Sequence, residues 1–315
     1  MIEQGGRHVV LGAGAIGLAV VEELVSRGRP VSVVSRSGTP PRDEGVRAVV
    51  GDVSDLDFAR HVCAEAAVVY HCVNPPYQKW ETLFPPLHAT IVEAAGEAGA
   101  RLVMADNLYM YGRPSGRPMA ETSPSSPATS KGGLRMRMAQ DLLAAHDQGR
   151  VQAVIGRASD YFGPNGLASH MGERVFPRLL EGKKAQVLGD PDTLHTYTYL
   201  PDIGRALATL GERDEALGQV WHIPSPAAVS TRRFIEMIGE ESGRAPGISV
   251  MPPALLTVLS WINPLLGAVR DELYQLQNDW VMDDSKYRMT FREAETPIAR
   301  AIAATVAWFR DNPRR

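Results

Sequence analysis

Three glycines at positions 12, 14 and 17 follow the apolar run Val9-Val10-Leu11, in the order Gly12-Ala13-Gly14-Ala15-Ile16-Gly17. This spacing suits phosphate binding. The first glycine permits a tight turn, the second lets a pyrophosphate approach the backbone, and the third lets the following helix pack against the strand. A helix starting here aims its free N–H groups and its positive end at the phosphates. The expected phosphate ligands are therefore Gly12, Gly14, Ala15, Ile16 and Gly17. A second apolar run, Val31–Val34, ends in Ser35-Arg36-Ser37. At that position an acidic residue suits the ribose 2′-hydroxyl of NAD, and an arginine suits the 2′-phosphate of NADP. Ser35 is neutral and Arg36 is cationic, so NADP is expected, with NAD the alternative. Asp52 and Val53, after the run Val46–Val50, are placed at the adenine edge. Asp52 also reads as the cap of a helix starting near Asp55. Cys72 ends a fourth apolar run, and Val73, Asn74 and Tyr77 lie in the proline-rich loop after it, where open α/β sheets bind ligands.

The elements that must hold these residues alternate. Strands are predicted at Val9–Leu11, Val31–Val34, Val46–Val50, Val68–Cys72, Arg101–Met104 and Val151–Ile155. Helices run over Ala15–Arg27, through 90–96 and over Lys131–His146. This pattern specifies an α/β fold, a doubly wound parallel sheet of the Rossmann type. The dinucleotide-binding domain is expected over 1–165, its sheet completed by segments near 196–223. A smaller, mainly helical and interleaved substrate lobe is expected over 166–315. The stretch Pro114–Ser130 reads as a long functional loop. His195–Leu200 reads as an exposed edge strand, and Tyr109 and Tyr111 as alternating residues of an extended segment.

Composition narrows the partners. The chain has 315 residues, 22% charged, with a net charge of −3 and no basic block, which argues against nucleic acid. Two cysteines, Cys63 and Cys72, build no disulfide framework. No H-x-x-x-H or C-x-x-C pair points to a metal. The longest apolar stretch, 254–269, is broken by Ser260, Asn263 and Pro264 and is short for a membrane span. Trp261 and its neighbours are candidates to roof a pocket. A cytoplasmic protein without membrane partners is expected, with no signal-peptide pattern at its start.

The glycine turn, Gly51-Asp52-Val53, the Tyr-x-Tyr-Gly of 109–112, Arg157-Ala158-Ser159-Asp160-Tyr161-Phe162-Gly163-Pro164 and His195–Asp202 together resemble the extended short-chain dehydrogenase/reductase family. Its members include sugar-nucleotide epimerases and dehydratases. That resemblance implies a Ser/Thr position and a Tyr-x-x-x-Lys pair. Here the Ser/Thr position holds Asn107, the tyrosine position Lys131 and the lysine position Arg135. Lys-x-x-x-Arg at a helix start also resembles the atypical reductases related to isoflavone and pinoresinol reductases and their non-catalytic NmrA-like relatives. In those reductases a lysine serves as general acid/base.

The resemblance thus implies Lys131, Asn107 and Tyr109 as catalytic candidates. Arg135, permanently charged, would hold the nicotinamide ribose or a phosphate. Tyr161 and His195 join Tyr77 as substrate contacts, and His195 stands where the family often has a phosphate-binding arginine. The expected function is an NADP-dependent oxidoreductase of the atypical extended type, reducing a small or mid-sized carbonyl or enone. The alternatives are a non-catalytic NAD(P)-sensing protein, a non-redox isomerase or cyclase, or a sugar-nucleotide epimerase/dehydratase relative. Family members often dimerise through a four-helix bundle, so a homodimer is an alternative to a monomer. The helix over Lys131–His146 would carry Met136, Met138 and Leu142 on its outer face.

Overall fold

A computed structural model describes residues 6–37 and 45–313. The chain begins β1 (Arg7–Leu11), α1 (Ala15–Ser26), β2 (Val31–Ser35), β3 (Val46–Val50), α2 (Leu56–Cys63), β4 (Ala66–His71), α3 (Trp80–Glu97), β5 (Arg101–Asp106), α4 (Ser130–Asp147) and β6 (Gln152–Arg157). It continues through β7 (Asp160–Phe162), α5 (Phe176–Leu180), β8 (Ala185–Val187), β9 (Leu194–His195), β10 (Tyr197–Tyr199), α6 (Leu200–Glu212) and β11 (Val220–His222). It ends with β12 (Val229–Ser230), α7 (Thr231–Ser242), β13 (Ile248–Val250), α8 (Pro253–Ser260), α9 (Pro264–Asp271), α10 (Ser285–Phe291) and α11 (Ile298–Asp311).

The chain divides into two compact units. The first comprises residues 1–110, 130–158 and 203–223. Its seven-stranded sheet has the order β11-β6-β5-β4-β1-β2-β3, and every pairing is parallel. The order reverses between β1 and β4, the switch point at which such sheets open a crevice beyond their carboxyl ends. Central strands of a sheet covered on both faces read as unbroken apolar runs. Val9, Val10, Leu11, Val68 and Val69 accordingly have no exposed surface. Helix α6 approaches α1 closely: a Cβ on Gly204 would lie 2.2 Å from the Ala19 carbonyl oxygen.

The second unit comprises residues 111–129, 159–202 and 224–315. It is mainly helical with three short strand pairs, β10–β7, β12–β9 and β13–β8. Phe162, Phe176, Phe234, Ile302 and Phe309 lie at the centre of its core.

Several local expectations are corrected. His195–Leu200 is no exposed edge. Residues 195–200 are all buried, β10 pairs with β7, and Leu200 already opens α6. Tyr109–Tyr111 forms a short 3-10 turn, so the two rings do not alternate as on a strand. The loop before α4 is tied down: Met119 N–H donates to the Val281 carbonyl at 2.8 Å, and Met119 bridges Met282. Met138 and Leu142 face the core, at 2% and 0% exposure, and offer no outer face for a partner helix. Asp55, not Asp52, caps α2, accepting from Phe58 N–H at 2.9 Å.

Four histidines, His8, His71 and His88 buried and His170 half-buried, make the fold acid-sensitive. Burial lowers His8, His88 and His170 to about 4, and His71 well below its ordinary value. A depressed histidine is neutral in the folded chain while the unfolded chain takes up protons below about pH 6.5. Stability is therefore complete above that pH and falls as pH drops toward 4. His8, His88 and His170 each contribute about 1–3 kcal/mol to the loss. Thermal melts should show Tm falling steeply between pH 6.5 and 4.5; a flat profile there would contradict the burial.

Candidate functional site

At the end of β1 the backbone turns on Gly12, whose φ of +103° favours glycine. A Cβ there would also press on the Cys72 carbonyl oxygen at 2.8 Å. Gly17 is fixed by packing, since its Cβ would lie 1.9 Å from the Gly12 carbonyl oxygen. Gly14 is different. It is exposed, its φ of −76° suits any residue, and nothing lies within 4 Å of where its Cβ would be. Two glycines hold strand and helix together, and the third keeps open space in front of the helix N-terminus. No side chain caps α1 and no acid sits in its first turn. Ala15 and Ile16 are half-buried beside this opening. The residues present fit a bound pyrophosphate, because the positive end of a twelve-residue helix meets unfilled space.

The neighbouring strand ends complete this edge. Gly51 N–H donates to the Ser35 carbonyl at 3.2 Å, joining the ends of β2 and β3. Arg36 and Ser37 are exposed. Asp52 is exposed too, and its side chain accepts from the N–H and hydroxyl of Ser54 at 3.0 and 2.8 Å. These bonds hold its carboxyl below the ordinary range, with a smaller contribution from the charge of Arg36. Val53 is buried, Cys72 and Val73 half-buried, and Asn74 exposed.

A second cluster of the first unit gathers around α4. Lys131, the second residue of that helix, is 6% exposed, and its Nζ lies 4.9 Å from the centre of the Tyr77 ring. Ser130 binds the Glu81 carboxylate, tying the helix start to α3. The Tyr77 hydroxyl donates to the Tyr109 hydroxyl at 3.5 Å. Trp80 meets Tyr77 edge-on at 4.9 Å and stacks on Tyr109 at 6.1 Å. Its Nε1–H donates to the Pro75 carbonyl at 3.1 Å, locking the proline-rich loop. Asn107 Oδ1 accepts from Tyr109 N–H at 3.1 Å and so shapes the turn that presents Tyr109.

Arg135 lies one helical turn on, over the rings of Trp80 and Phe84 at 5.4 and 5.1 Å. Its Nε is 2.8 Å from Asp106 Oδ1, and its Nη2 donates to the Ala105 carbonyl at 3.1 Å. Asp106 also receives Arg157 Nε at 3.0 Å on its other oxygen. The parallel register sets Asp106 beside Arg157. A buried carboxylate thus lies between two guanidinium groups. Removing one partner of such a network strands the other charges.

In the second unit, His195 is 1% exposed, and its Nε2–H donates to Asp160 Oδ2 at 3.0 Å. Burial pushes the Asp160 carboxyl up. The hydrogen bond and charge of His195, with His170, outweigh that, and the net shift is down. Tyr161 is half-buried, and burial followed by Asp160 raises its phenol. The structure therefore brings Tyr77, Asn107, Tyr109, Lys131 and Arg135 into one cluster. It pairs His195 with Asp160 in the second unit, beside Tyr161. Trp80, Phe84, Asp106 and Asp160 were not anticipated. Polar residues ending two adjacent apolar strands, Asp106 and Arg157, were the available signal. Among the described residues no group of three or more His, Cys, Asp or Glu could hold a metal ion.

A doubly wound parallel sheet with a helix N-terminus left open by glycine defines a dinucleotide-dependent protein of the Rossmann class. The profile of the NAD dependent epimerase/dehydratase family matches residues 8–223, more than half of the chain, and the chain belongs to that family. It is an enzyme of the NAD(P)-dependent kind. The chain is 25% identical over 260 residues to a dTDP-6-deoxy-L-talose 4-dehydrogenase (NAD(P)(+)) of Kitasatospora kifunensis, covering 78% of this chain and 81% of the relative. An epimerase of Methanothermobacter thermautotrophicus has a similar fold, with a TM-score of 0.83 at 19% identity, covering 98% of this chain and 93% of the other. The Thermus thermophilus UDP-glucose 4-epimerase in complex with NAD also does, with a TM-score of 0.77 at 20% identity over 96% and 99% of the two chains.

Proposed function

We propose that the protein is an NADP-preferring oxidoreductase that interconverts a carbonyl and an alcohol on a small or mid-sized, sugar-like substrate. The observation that carries this reading is the placement of Lys131, an ammonium almost wholly withdrawn from water and held over the Tyr77 ring. It adjoins the paired hydroxyls of Tyr77 and Tyr109. When bound, the nicotinamide supplies or accepts the hydride. In the reducing direction, Lys131 Nζ–H donates its proton to the substrate oxygen as that oxygen gains negative charge. The Tyr109 hydroxyl, steadied by Tyr77, donates a second hydrogen bond to the same atom. Trp80 holds this group in position by packing on both tyrosines. Asp106 and the Ala105 carbonyl take part of the Arg135 guanidinium, so Arg135 would reach the nicotinamide ribose only from its remaining edge.

Gly12, Gly14, Ala15, Ile16 and Gly17 would hold the pyrophosphate, Ser35, Arg36 and Ser37 the ribose phosphate, and Asp52 and Val53 the adenine. Cys72, Val73 and Asn74 would flank the dinucleotide at the switch point. A relative named as a 4-dehydrogenase of a deoxysugar nucleotide supports carbonyl–alcohol chemistry on a sugar-like substrate. Two free cysteines fit work in a reducing cytoplasm.

The test is cofactor discrimination coupled to turnover. NADPH should bind more tightly than NADH in fluorescence titrations, and Arg36→Ala should reduce that preference by roughly 10- to 100-fold, the worth of a charged hydrogen bond. Equal affinities in the unaltered chain would remove the NADP assignment. A panel of ketones and keto-sugar nucleotides should yield substrate-dependent NADPH oxidation. Tight binding with no turnover across that panel would favour the sensing alternative.

A further inference from the structure

The apolar stretch noted in the sequence has a specific form in the second unit. Helices α8 and α9 make a hairpin whose turn carries Trp261 and Ile262, 76% and 80% exposed. Leu255, Val258 and Leu265 extend the patch at 47%, 52% and 45% exposure, while Leu256 and Ala268 anchor the opposite face. Trp261 does not roof a pocket within its own unit.

From Met251 to Val269 no side chain is charged. Charge returns at the base of the hairpin with Arg270, Asp271 and Glu272. The N–H groups of the turn and the side-chain oxygens of Ser260 and Asn263 are bonded within the hairpin. Asn263 Oδ1 accepts from the N–H groups of Leu265 and Leu266 at 3.0 and 3.4 Å. The Ser260 hydroxyl donates to the Thr257 carbonyl at 2.6 Å and accepts from Arg270 at 3.0 Å. The N–H groups of Trp261, Ile262 and Asn263 return to the carbonyls of Val258 and Leu259.

We propose that this hairpin inserts its tip into the headgroup–acyl boundary of an electrically neutral lipid bilayer, holding the enzyme at a membrane surface. Two arguments favour lipid over protein. First, the five exposed side chains supply a few hundred Å², whereas a stable protein interface needs about 800 Å² on each partner. Second, a protein interface carries a polar rim and direct hydrogen bonds, whereas no side chain from 251 to 269 is charged, the nearest guanidinium, that of Arg270, is turned onto Ser260, and the N–H groups of the turn are bonded within the hairpin. Internal satisfaction is what a non-aqueous surface demands, and tryptophan favours that boundary. Among the described residues no helix is long and apolar enough to cross a membrane, so the contact is one-sided. This departs from the expectation of no membrane partner, and it stands independently of the proposed catalysis.

The full chain should co-sediment with phosphatidylcholine vesicles, undiminished at high ionic strength. Trp261 is the strongly exposed tryptophan; Trp80, Trp221 and Trp280 are buried. Tryptophan emission should therefore shift to shorter wavelength on binding and be quenched by brominated lipid. The double variant Trp261→Ser, Ile262→Ser should bind at least about tenfold more weakly, with Tm and NADPH affinity unchanged. Three results would overturn the inference: protein that stays in the supernatant, binding that high salt abolishes, or a dimer in solution that the double variant converts to monomer. The last would assign the tip to a second copy of this chain.

Discussion

Lys131→Met should lower kcat/KM by about 10²- to 10⁴-fold, the span of a positioned general acid, with NADPH affinity within about twofold of the unaltered chain. Methionine keeps most of the buried volume and removes only the proton donor, so Tyr77 and α4 retain their packing. The loss should appear in kcat more than in KM, because the proposed mechanism has the ammonium act as charge develops on the substrate oxygen. Tyr109→Phe offers a graded comparison, removing one hydroxyl from the pair with Tyr77 and leaving the stack on Trp80. Full turnover in Lys131→Met would remove Lys131 from the mechanism and transfer the proton to Tyr109.

Gly14→Val and Gly17→Ala should fail in opposite ways. At position 14 the backbone is extended and no atom lies within 4 Å of the new Cβ, so the valine variant should melt like the unaltered chain. Its side chain would fill the opening before the α1 N-terminus, and dinucleotide affinity should fall by about 100-fold or more, as expected when the phosphates lose their backbone contacts. At position 17 the new Cβ would lie 1.9 Å from the Gly12 carbonyl oxygen, forcing helix and strand apart. That variant should lose about 1–3 kcal/mol or more of stability, read as a lower midpoint in urea unfolding. If Gly14→Val bound NADPH as tightly as the unaltered chain, the turn would not be the phosphate cradle.

The alternation of strand and helix through β6, the glycine turn and the doubly wound class were legible because they are local or periodic. Val9–Leu11 reads as a central strand by its own composition, and β3 falls at Val46–Val50 as predicted. Lys131 and Arg135 were legible as neighbours on one helix face, since residues four apart always are. Their surroundings were not. Nothing near Arg135 in the chain announces Asp106 as its partner.

What the sequence determined by itself was the backbone scaffold and the glycine turn, since a glycine's freedom and a strand's apolar run act through nearest neighbours. The tertiary structure alone decided how the polar side chains are used. The β5–β6 register put Asp106 beside Arg157, and α3 brought Trp80 and Phe84 beneath Arg135. Pairing of β7 with β10 turned a supposed edge strand into core and gave His195 to Asp160. The apolar run at 254–269 divided into a buried and an exposed face only once α8 and α9 had packed. Each of these depends on contacts between residues far apart in the chain, whose cost and gain are settled only when the whole fold closes.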